Sequence, residues 1–245
     1  RVRVFELGRV FLRDASVANT DTTVEGFHQP MRVAGVAYGA NDVLQWGRKE
    51  QGIDFFDVKG DVEAMLAPLR ATFEPGTHPA MHPGRCARVL MNGKLIGHVG
   101  ELHPQWRQSW ELPQAPVLFE LELDAVLQRT VPQFKAVAKH QAVERDLAIV
   151  VAERVTHSEV MAAVESAVPA SLLRSAVLFD VYRPKAVRPG EEPAAGGAVA
   201  AGEKSLAVRL TLGRDEASLT EAEIEAAVQA VVTQLVARTG GRLRV

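Results

Sequence analysis

Asp180 and Tyr182 lie two residues apart near the C-terminal end of the sequence, and Ser205 and Arg209 lie four residues apart in a second segment. Because alternate residues of a strand share a face, each pair places its polar side chains on one side of a sheet. An exposed tyrosine can stack on a base, while a nearby carboxylate, hydroxyl and guanidinium can hydrogen-bond its edge. The four residues therefore predict a surface that reads single-stranded RNA. The alternative is an ordinary tyrosine at a strand end with its hydroxyl group in water.

The opposite faces of both segments are apolar, as a strand with one buried side requires. In the first strand, 175–182, the alternation predicts an apolar side made of Val177, Phe179 and Val181. In the second strand, 204–212, it predicts an apolar side made of Leu206, Val208, Leu210 and Leu212. Each strand is therefore expected to pack one face on a core and leave the other face open.

The surrounding sequence predicts that these strands belong to a β-α-β-β-α-β unit. Its four strands are predicted at 145–151, 175–182, 204–212 and 242–245. Thr156 with Glu159, and Thr220 with Glu223, have the spacing of capping boxes that begin the two helices. This order is the split β-α-β arrangement of ferredoxin-like folds, in which both helices cover one face of the sheet.

The last predicted strand adds two arginines to the open face. Leu243 and Val245 are expected to face the helices, which puts Arg242 and Arg244 on the side of Tyr182. They are candidates for attracting phosphate groups, although a solubilising tail is an equal interpretation. Residues 184–202 are rich in Pro, Gly and Ala and poor in large apolar groups, so they predict a long loop beside this face.

The first half of the sequence predicts a sheet with few helices. Strands are predicted at 2–11, 31–38, 86–91, 95–100 and 117–123. Asn92 and Gly93 both tolerate a positive φ, so 86–100 is expected to form a hairpin. An apolar stripe predicts one helix at about 57–72, which Pro68 should kink or shorten. We therefore expect an α+β chain with one domain at 1–128, a linker at 129–141 and a second domain at 142–245.

Composition sets limits on the function. The formal net charge of -2 makes the whole chain a poor electrostatic trap for polyanions, so RNA binding requires a local patch. Cys86 is the single cysteine, which excludes an internal disulfide and fits a reducing, cytoplasmic location. No apolar run approaches the length that spans a membrane, so we expect no membrane partner. The sequence also starts directly in a predicted strand, which suggests a piece of a longer protein.

Other groupings of reactive residues have simpler interpretations. Four histidines accompany Cys86 but fall on different predicted elements, which favours turn and strand-end roles over a metal site; they are His78, His82, His98 and His103. No Gly-x-Ser-x-Gly motif frames a serine that could act with His103 and Glu101. The acidic run that includes Asp54 and Asp57 could hold Mg²⁺, but it more commonly favours a helix N-terminus.

Several motifs spread over the chain resemble the bacterial phenylalanyl-tRNA synthetase β subunit. In the first half they are FELGRVF at 5–11, DFFDVKG at 54–60, HPGRCA at 82–87, GELHP at 100–104 and FELEL at 119–123. In the second half they are RDLA at 145–148, FDVY at 179–182 and KSLA at 204–207. The motifs follow the order of the family, so the resemblance covers nearly the whole chain.

The resemblance implies a function for each half of the chain. The first half is expected to be the end of a non-catalytic module with the antiparallel fold of class II synthetases, which packs on a catalytic α subunit in an (αβ)₂ assembly. The second half is expected to be a ferredoxin-like domain that binds the anticodon of tRNA(Phe). The resemblance implies that Tyr182 stacks on an anticodon base and that Asp180 and Ser205 hydrogen-bond nearby. Arg209 is a further candidate contact. ATP and Mg²⁺ would act in the partner subunit, with no cofactor in this chain.

Two other classes of function remain open at this stage. The open sheet face could dock another protein without any role in RNA binding. An autonomous enzyme would have only the histidine cluster to support it.

Overall fold

A computed structural model describes residues 1–131, 134, 139–184 and 199–244. The chain divides into two compact units, residues 1–133 and 134–245, so the division lies inside the segment 129–141. Over the described ranges, none of the helices combines the length and apolar character that crossing a bilayer requires.

The first unit is built on a six-stranded antiparallel sheet. Its strands are β1 (Val2–Arg9), β4 (Met31–Tyr38), β5 (Thr72–Pro75), β6 (Met81–Met91), β7 (Lys94–Leu102) and β8 (Val117–Glu122). Their order across the sheet is β1-β4-β8-β7-β6-β5. A separate pair is formed by β2 (Leu12–Arg13) and β3 (Phe27–His28). Three helices complete the unit: α1 (Phe55–Leu66), α2 (Pro104–Ser109) and α3 (Leu123–Val126).

The predicted hairpin at 86–100 is confirmed. Strands β6 and β7 pair antiparallel, and Asn92 and Gly93 form their connection with φ of 52° and 78°. Positive φ at both central residues matches the twist of the flanking strands, which is why Asn-Gly is favoured here.

Helix α1 is shorter than the predicted helix at 57–72. It begins because Asp54 accepts hydrogen bonds from the backbone N–H groups of Phe56 and Asp57, and the Asp57 carboxylate accepts one from the N–H of Asp54. It ends at Leu66 because the next residue precedes Pro68 and adopts an extended ψ of 140°. The helix-terminus interpretation of the acidic run is confirmed, and so is the expectation that Pro68 would shorten the helix, which ends at Leu66 rather than at residue 72.

One face of the first sheet carries the core of this unit. Val58, Val62 and Leu66 of α1 are buried, and their core cluster includes sheet residues such as Val89 and Leu121. Alternate residues of the same strands point to the other face of the sheet. There, one row across four strands consists of polar and charged side chains, namely Glu120, His98, Arg88 and Glu74.

The second unit has the predicted β-α-β-β-α-β order. Its elements are β9 (Val143–Ala152), α4 (His157–Ala167), β10 (Leu173–Tyr182), β11 (Glu203–Leu212), α5 (Glu221–Thr239) and β12 (Arg242–Leu243). The sheet order is β10-β11-β9-β12 with every neighbouring pair antiparallel, as in ferredoxin-like folds. The predicted α+β class is therefore confirmed.

Helices α4 and α5 begin at the predicted capping boxes. Thr156 and Thr220 each accept a hydrogen bond from the backbone N–H of a glutamate three residues later, and the carboxylates of Glu159 and Glu223 each accept one from the backbone N–H of the threonine. Helix α5 ends at Gly240, whose φ of 65° lies in the left-handed region. Both helices pack on Leu206, Val208, Leu210 and Leu212 of β11, all buried as predicted. The other sheet face carries no helix of the described chain.

Candidate nucleic-acid interface

The open face of the second sheet brings several of the predicted RNA contacts into one row. Register pairs Tyr182 of β10 with Ser205 of β11, Ser205 with Val150 of β9, and Val150 with Arg242 of β12. These side chains share a face because residues paired across neighbouring strands point the same way. The pairing of Leu243 with buried Ile149 confirms that Arg242 points away from the helices.

The next row of the same face holds two more predicted contacts. Asp180 pairs with Ala207, and Ala207 pairs with Ala148. The backbone N–H of Arg244 donates to the carbonyl of Ala148 at 2.8 Å, so Arg244 continues β12 beside this row. The Asp180 side chain is exposed and one row from Tyr182. Five of the six candidate residues therefore lie on two adjacent rows.

A β-bulge in β10 corrects one prediction about the strand. Leu178 pairs with Val208, but Asp180 pairs with Ala207, so Phe179 is an extra residue in β10. The bulge shifts the alternation, and Phe179 lies on the open face together with Val177, which pairs with Arg209. The prediction that Val177 and Phe179 face the core was wrong. Ala176 and Leu178 pack on the core instead.

Tyr182 and Arg244 contact each other across the sheet. The guanidinium carbon of Arg244 lies 5.0 Å from the centroid of the Tyr182 ring. Their strands are separated by two others, roughly 14 Å at the usual strand spacing, so both side chains must extend over the middle of the sheet. Ser205 and Val150 lie between them and are 3% and 1% exposed. The predicted hydroxyl contact is thus on the expected face but covered by the Tyr182–Arg244 pair.

Arg209 is engaged by acidic side chains of β9. It donates from Nε and Nη2 to the two carboxylate oxygens of Asp146, each at 2.8 Å, and its Nη1 lies 3.4 Å from Glu144. Hydrogen bonding to Arg209 holds the pKa of Asp146 below its ordinary value, and the Asp146 hydrogen bond raises the pKa of Arg209. The guanidinium also lies 5.3 Å from the centroid of the Phe179 ring. Its charge is therefore largely neutralised.

Arg242 is likewise paired with a carboxylate. Its two terminal nitrogens donate to the two oxygens of Glu203, at 2.5 and 2.7 Å. Hydrogen bonds from Arg242 and from the backbone N–H of Ala200 lower the pKa of Glu203 to about 2. Arg244 differs, because none of the ion pairs seen in the described ranges involves its guanidinium. Of the three candidate arginines, Arg244 is the one placed to exchange its present contact for a phosphate group.

Charged residues also fix the two ends of the predicted loop at 184–202. Arg183 donates to the Glu153 carboxylate at 3.0 Å, and Lys204 donates from Nζ to the Glu153 carbonyl at 2.8 Å. The Arg183 hydrogen bond lowers the pKa of Glu153. Residues 185–198 of that loop lie outside the described residues.

Three histidines of the first unit have local structural roles. His78, His82 and His103 each accept a backbone N–H through Nδ1, from Ala80, Gly84 and Gln105 respectively. Glu101 accepts two hydrogen bonds from Arg85. These contacts confirm the turn and strand-end interpretation for three of the four histidines. In the described ranges, no three His, Cys, Asp or Glu side chains converge in a way that suits a metal ion.

Comparison with known proteins gives matches over both units. Residues 1–123 match the family model described as the phenylalanyl tRNA synthetase beta chain CLM domain, and residues 138–244 match the ferredoxin-fold anticodon binding domain. The chain is 47% identical to the phenylalanine–tRNA ligase beta subunit of Cupriavidus pinatubonensis, 46% to that of Ralstonia nicotianae and 43% to that of Chromobacterium violaceum. These alignments cover 100% of this chain but 29%, 30% and 28% of the relatives, so the chain spans under a third of their length.

Proposed function

The chain belongs to the phenylalanyl-tRNA synthetase β-chain family, and from this premise we propose that it supplies anticodon recognition to a phenylalanine–tRNA ligase. The observation that carries the proposal is the open face of the second unit. Its exposed Tyr182 pairs with Ser205 on the neighbouring strand and lies one row from Asp180, within the region that matches an anticodon-binding domain.

Tyr182 would act as the stacking platform for one anticodon base of tRNA(Phe). A base that stacks on the ring has to displace the guanidinium of Arg244, which now lies over it. This displacement also uncovers Ser205, whose hydroxyl can then donate to or accept from the edge of the base. Asp180, one row away, can accept hydrogen bonds from the N–H groups of the base.

Arg244 would then supply the main attraction for the phosphate groups. Once it leaves the Tyr182 ring, its guanidinium can form a charge-assisted, bidentate contact with a phosphate. Arg209 and Arg242 are assigned weaker contributions, because Asp146 and Glu203 already neutralise them. Phosphate contacts of this kind set the register of the RNA, whereas the contacts at Tyr182 read its bases.

The first unit would form part of the interface with the catalytic α subunit. Its edge strand β1 exposes Phe5 and Leu7 on one face and Val4 on the other, apolar side chains that another subunit could cover. In this proposal the α subunit joins phenylalanine to tRNA(Phe) with ATP and Mg²⁺, and the whole enzyme is an (αβ)₂ assembly in the cytoplasm. The chain described here would contribute no catalytic residue, and its lone Cys86 suits a reducing compartment.

Protein docking on the open face is the second candidate function. Strand β10 is an edge strand, and its Val177 and Phe179 side chains are 54% and 53% exposed. Exposed apolar side chains beside an unpaired strand edge suit a protein partner as well as a base. The two functions differ in their response to salt, because phosphate contacts weaken steeply as salt rises and apolar contacts do not.

The proposal is tested by tRNA(Phe) binding to the chain in the presence of the α subunit. Tyr182→Ala should weaken binding by about 1–3 kcal/mol, since it removes one stacked base. Tyr182→Phe keeps the ring and should bind nearly as well as the unaltered chain. Val236→Ala, an exposed position on α5, is the matched control. Unchanged affinity in Tyr182→Ala would refute the assignment.

A further inference from the structure

We infer that Phe179 forms a second stacking subsite for an RNA base, next to the one proposed at Tyr182. The inference rests on the proposed anticodon function and extends it to a second nucleotide. The alternation of apolar residues in the sequence did not predict this subsite, because it placed Phe179 in the core. The ring lies on the open face only because of the bulge between Leu178 and Asp180.

The Phe179 ring is available to a ligand. The residue is 53% exposed and belongs to neither the core cluster nor the apolar residues packed against it. An exposed phenylalanine has no hydrogen bond to offer, so contact with a planar or apolar ligand is the interaction that it can make. Bases stack on such rings in single-stranded RNA readers, commonly two or three along one sheet.

Arg209 is fixed over one face of this ring. Two hydrogen bonds to Asp146 hold its guanidinium, which lies 5.3 Å from the ring centroid of Phe179. This contrasts with Arg244 on Tyr182, whose guanidinium has none of the described ion pairs to hold it. Arg209 therefore stays in place when a base arrives, and the exposed part of the Phe179 ring remains for the base.

The local charges favour a base over a phosphate group at this subsite. Asp146 and Glu144 surround Arg209, and Asp180 follows Phe179 in the strand. Because three carboxylates outnumber one guanidinium, the local charge is negative and repels a phosphate group. Each carboxylate can instead accept a hydrogen bond from the N–H groups of a base. The chemistry therefore fits an unpaired base with its sugar–phosphate chain on the side of Arg244.

The spacing of the two rings requires bases that are not stacked on each other. Phe179 and Tyr182 are three residues apart in a strand, about 10 Å at the usual rise and less across the bulge. Stacked nucleotides rise only about 3.4 Å. Bases on the two rings must be splayed apart, which is the state in which loops are read by proteins.

The test uses the anticodon stem–loop of tRNA(Phe) and the full chain with the α subunit. Phe179→Ala should raise the Kd at least about fivefold, the lower end of what one stacked base contributes. Phe179→Leu should also weaken binding, because leucine keeps an apolar side chain but has no flat ring. Val236→Ala is the control, since Val236 is an exposed apolar residue on α5, away from the open face, and should leave the Kd unchanged.

A second measurement identifies the base and separates the two proposals. One abasic position in the loop should weaken binding to the unaltered chain but have no further effect in Phe179→Ala. Full affinity in Phe179→Ala together with weakened binding in Tyr182→Ala overturns the second subsite and leaves the anticodon function intact. Full affinity in both variants overturns the second subsite and the anticodon function together. Affinity restored by Phe179→Leu overturns stacking in favour of simple apolar contact.

Discussion

The pairing of the arginines predicts which of them determine the salt dependence of RNA binding. Arg244 has no described carboxylate partner, whereas Asp146 neutralises Arg209 through two hydrogen bonds. Replacing Arg244 with glutamine should therefore remove one phosphate contact, so that RNA binding releases one counterion fewer. Replacing Arg209 and Asp146 together with glutamine and asparagine leaves the net charge unchanged and should leave the salt dependence unchanged.

The size of this effect follows from counterion release. For single strands the logarithm of the binding constant falls by about 0.7 per phosphate contact for each unit of the logarithm of salt concentration. Arg244→Gln should reduce the slope by about 0.7. Between two salt concentrations that differ fourfold, the affinity of Arg244→Gln relative to that of the unaltered chain should therefore change by a factor of about 2.6.

The assay is titration of a labelled anticodon stem–loop with the chain and the α subunit at several KCl concentrations. The unaltered chain, Arg244→Gln and the double variant Arg209→Gln/Asp146→Asn are compared under identical conditions. A slope that drops equally in both variants would show that the Arg209–Asp146 pair opens to meet the RNA. That result would refute the reasoning that paired arginines contribute little to phosphate attraction.

Three further predictions concern stability. Thr220→Ala removes the side chain that caps α5 and should lower the free energy of unfolding by about 1 kcal/mol, measured by urea titration with circular dichroism. Hydrogen bonds from Thr220 and Arg214 hold the pKa of Glu223 at about 2, below its ordinary 4.5. This stabilisation is complete above about pH 4.5 and is lost as the pH falls towards 2, so melting temperatures across this window should fall less in Glu223→Gln. Gly97→Ala would place a Cβ against the Glu120 carbonyl and 2.8 Å from the Leu121 Cα, and should cost about 1–3 kcal/mol. Gly84→Ala, whose Cβ would meet only the His82 ring at an ordinary contact distance of 3.6 Å, is its control, and tryptophan fluorescence reports on the first unit because all three tryptophans lie there.

Much of the fold was predictable because its signals are local. The apolar alternation from Leu206 to Leu212 matches a strand with one buried face, and each capping box specifies the start of a helix within four residues. Asn92-Gly93 similarly specifies its own turn. Pro68 likewise predicted a shortened α1, although the apolar stripe that continues past Leu66 did not give the residue at which the helix ends.

The details of the candidate site depend on residues that are distant in sequence. The bulge at Phe179 is defined by the register of β10 against β11, which alternation within one strand does not contain. The partners of Arg209 and Arg242 lie 63 and 39 residues away, so the sequence could suggest free cations where the structure has ion pairs. Asp180 and Tyr182 were placed on the correct face because they follow the bulge, and Ser205 because β11 pairs with β9 in an unbroken register.

Anticodon recognition is tested most directly by the dependence of binding on the anticodon itself. The chain with the α subunit should bind intact tRNA(Phe) at least about fivefold more tightly than the same tRNA with its anticodon bases removed. In Tyr182→Ala this preference should shrink, because the stacking platform is absent. Equal affinity of the unaltered chain for both RNAs would contradict the proposed role of the open face.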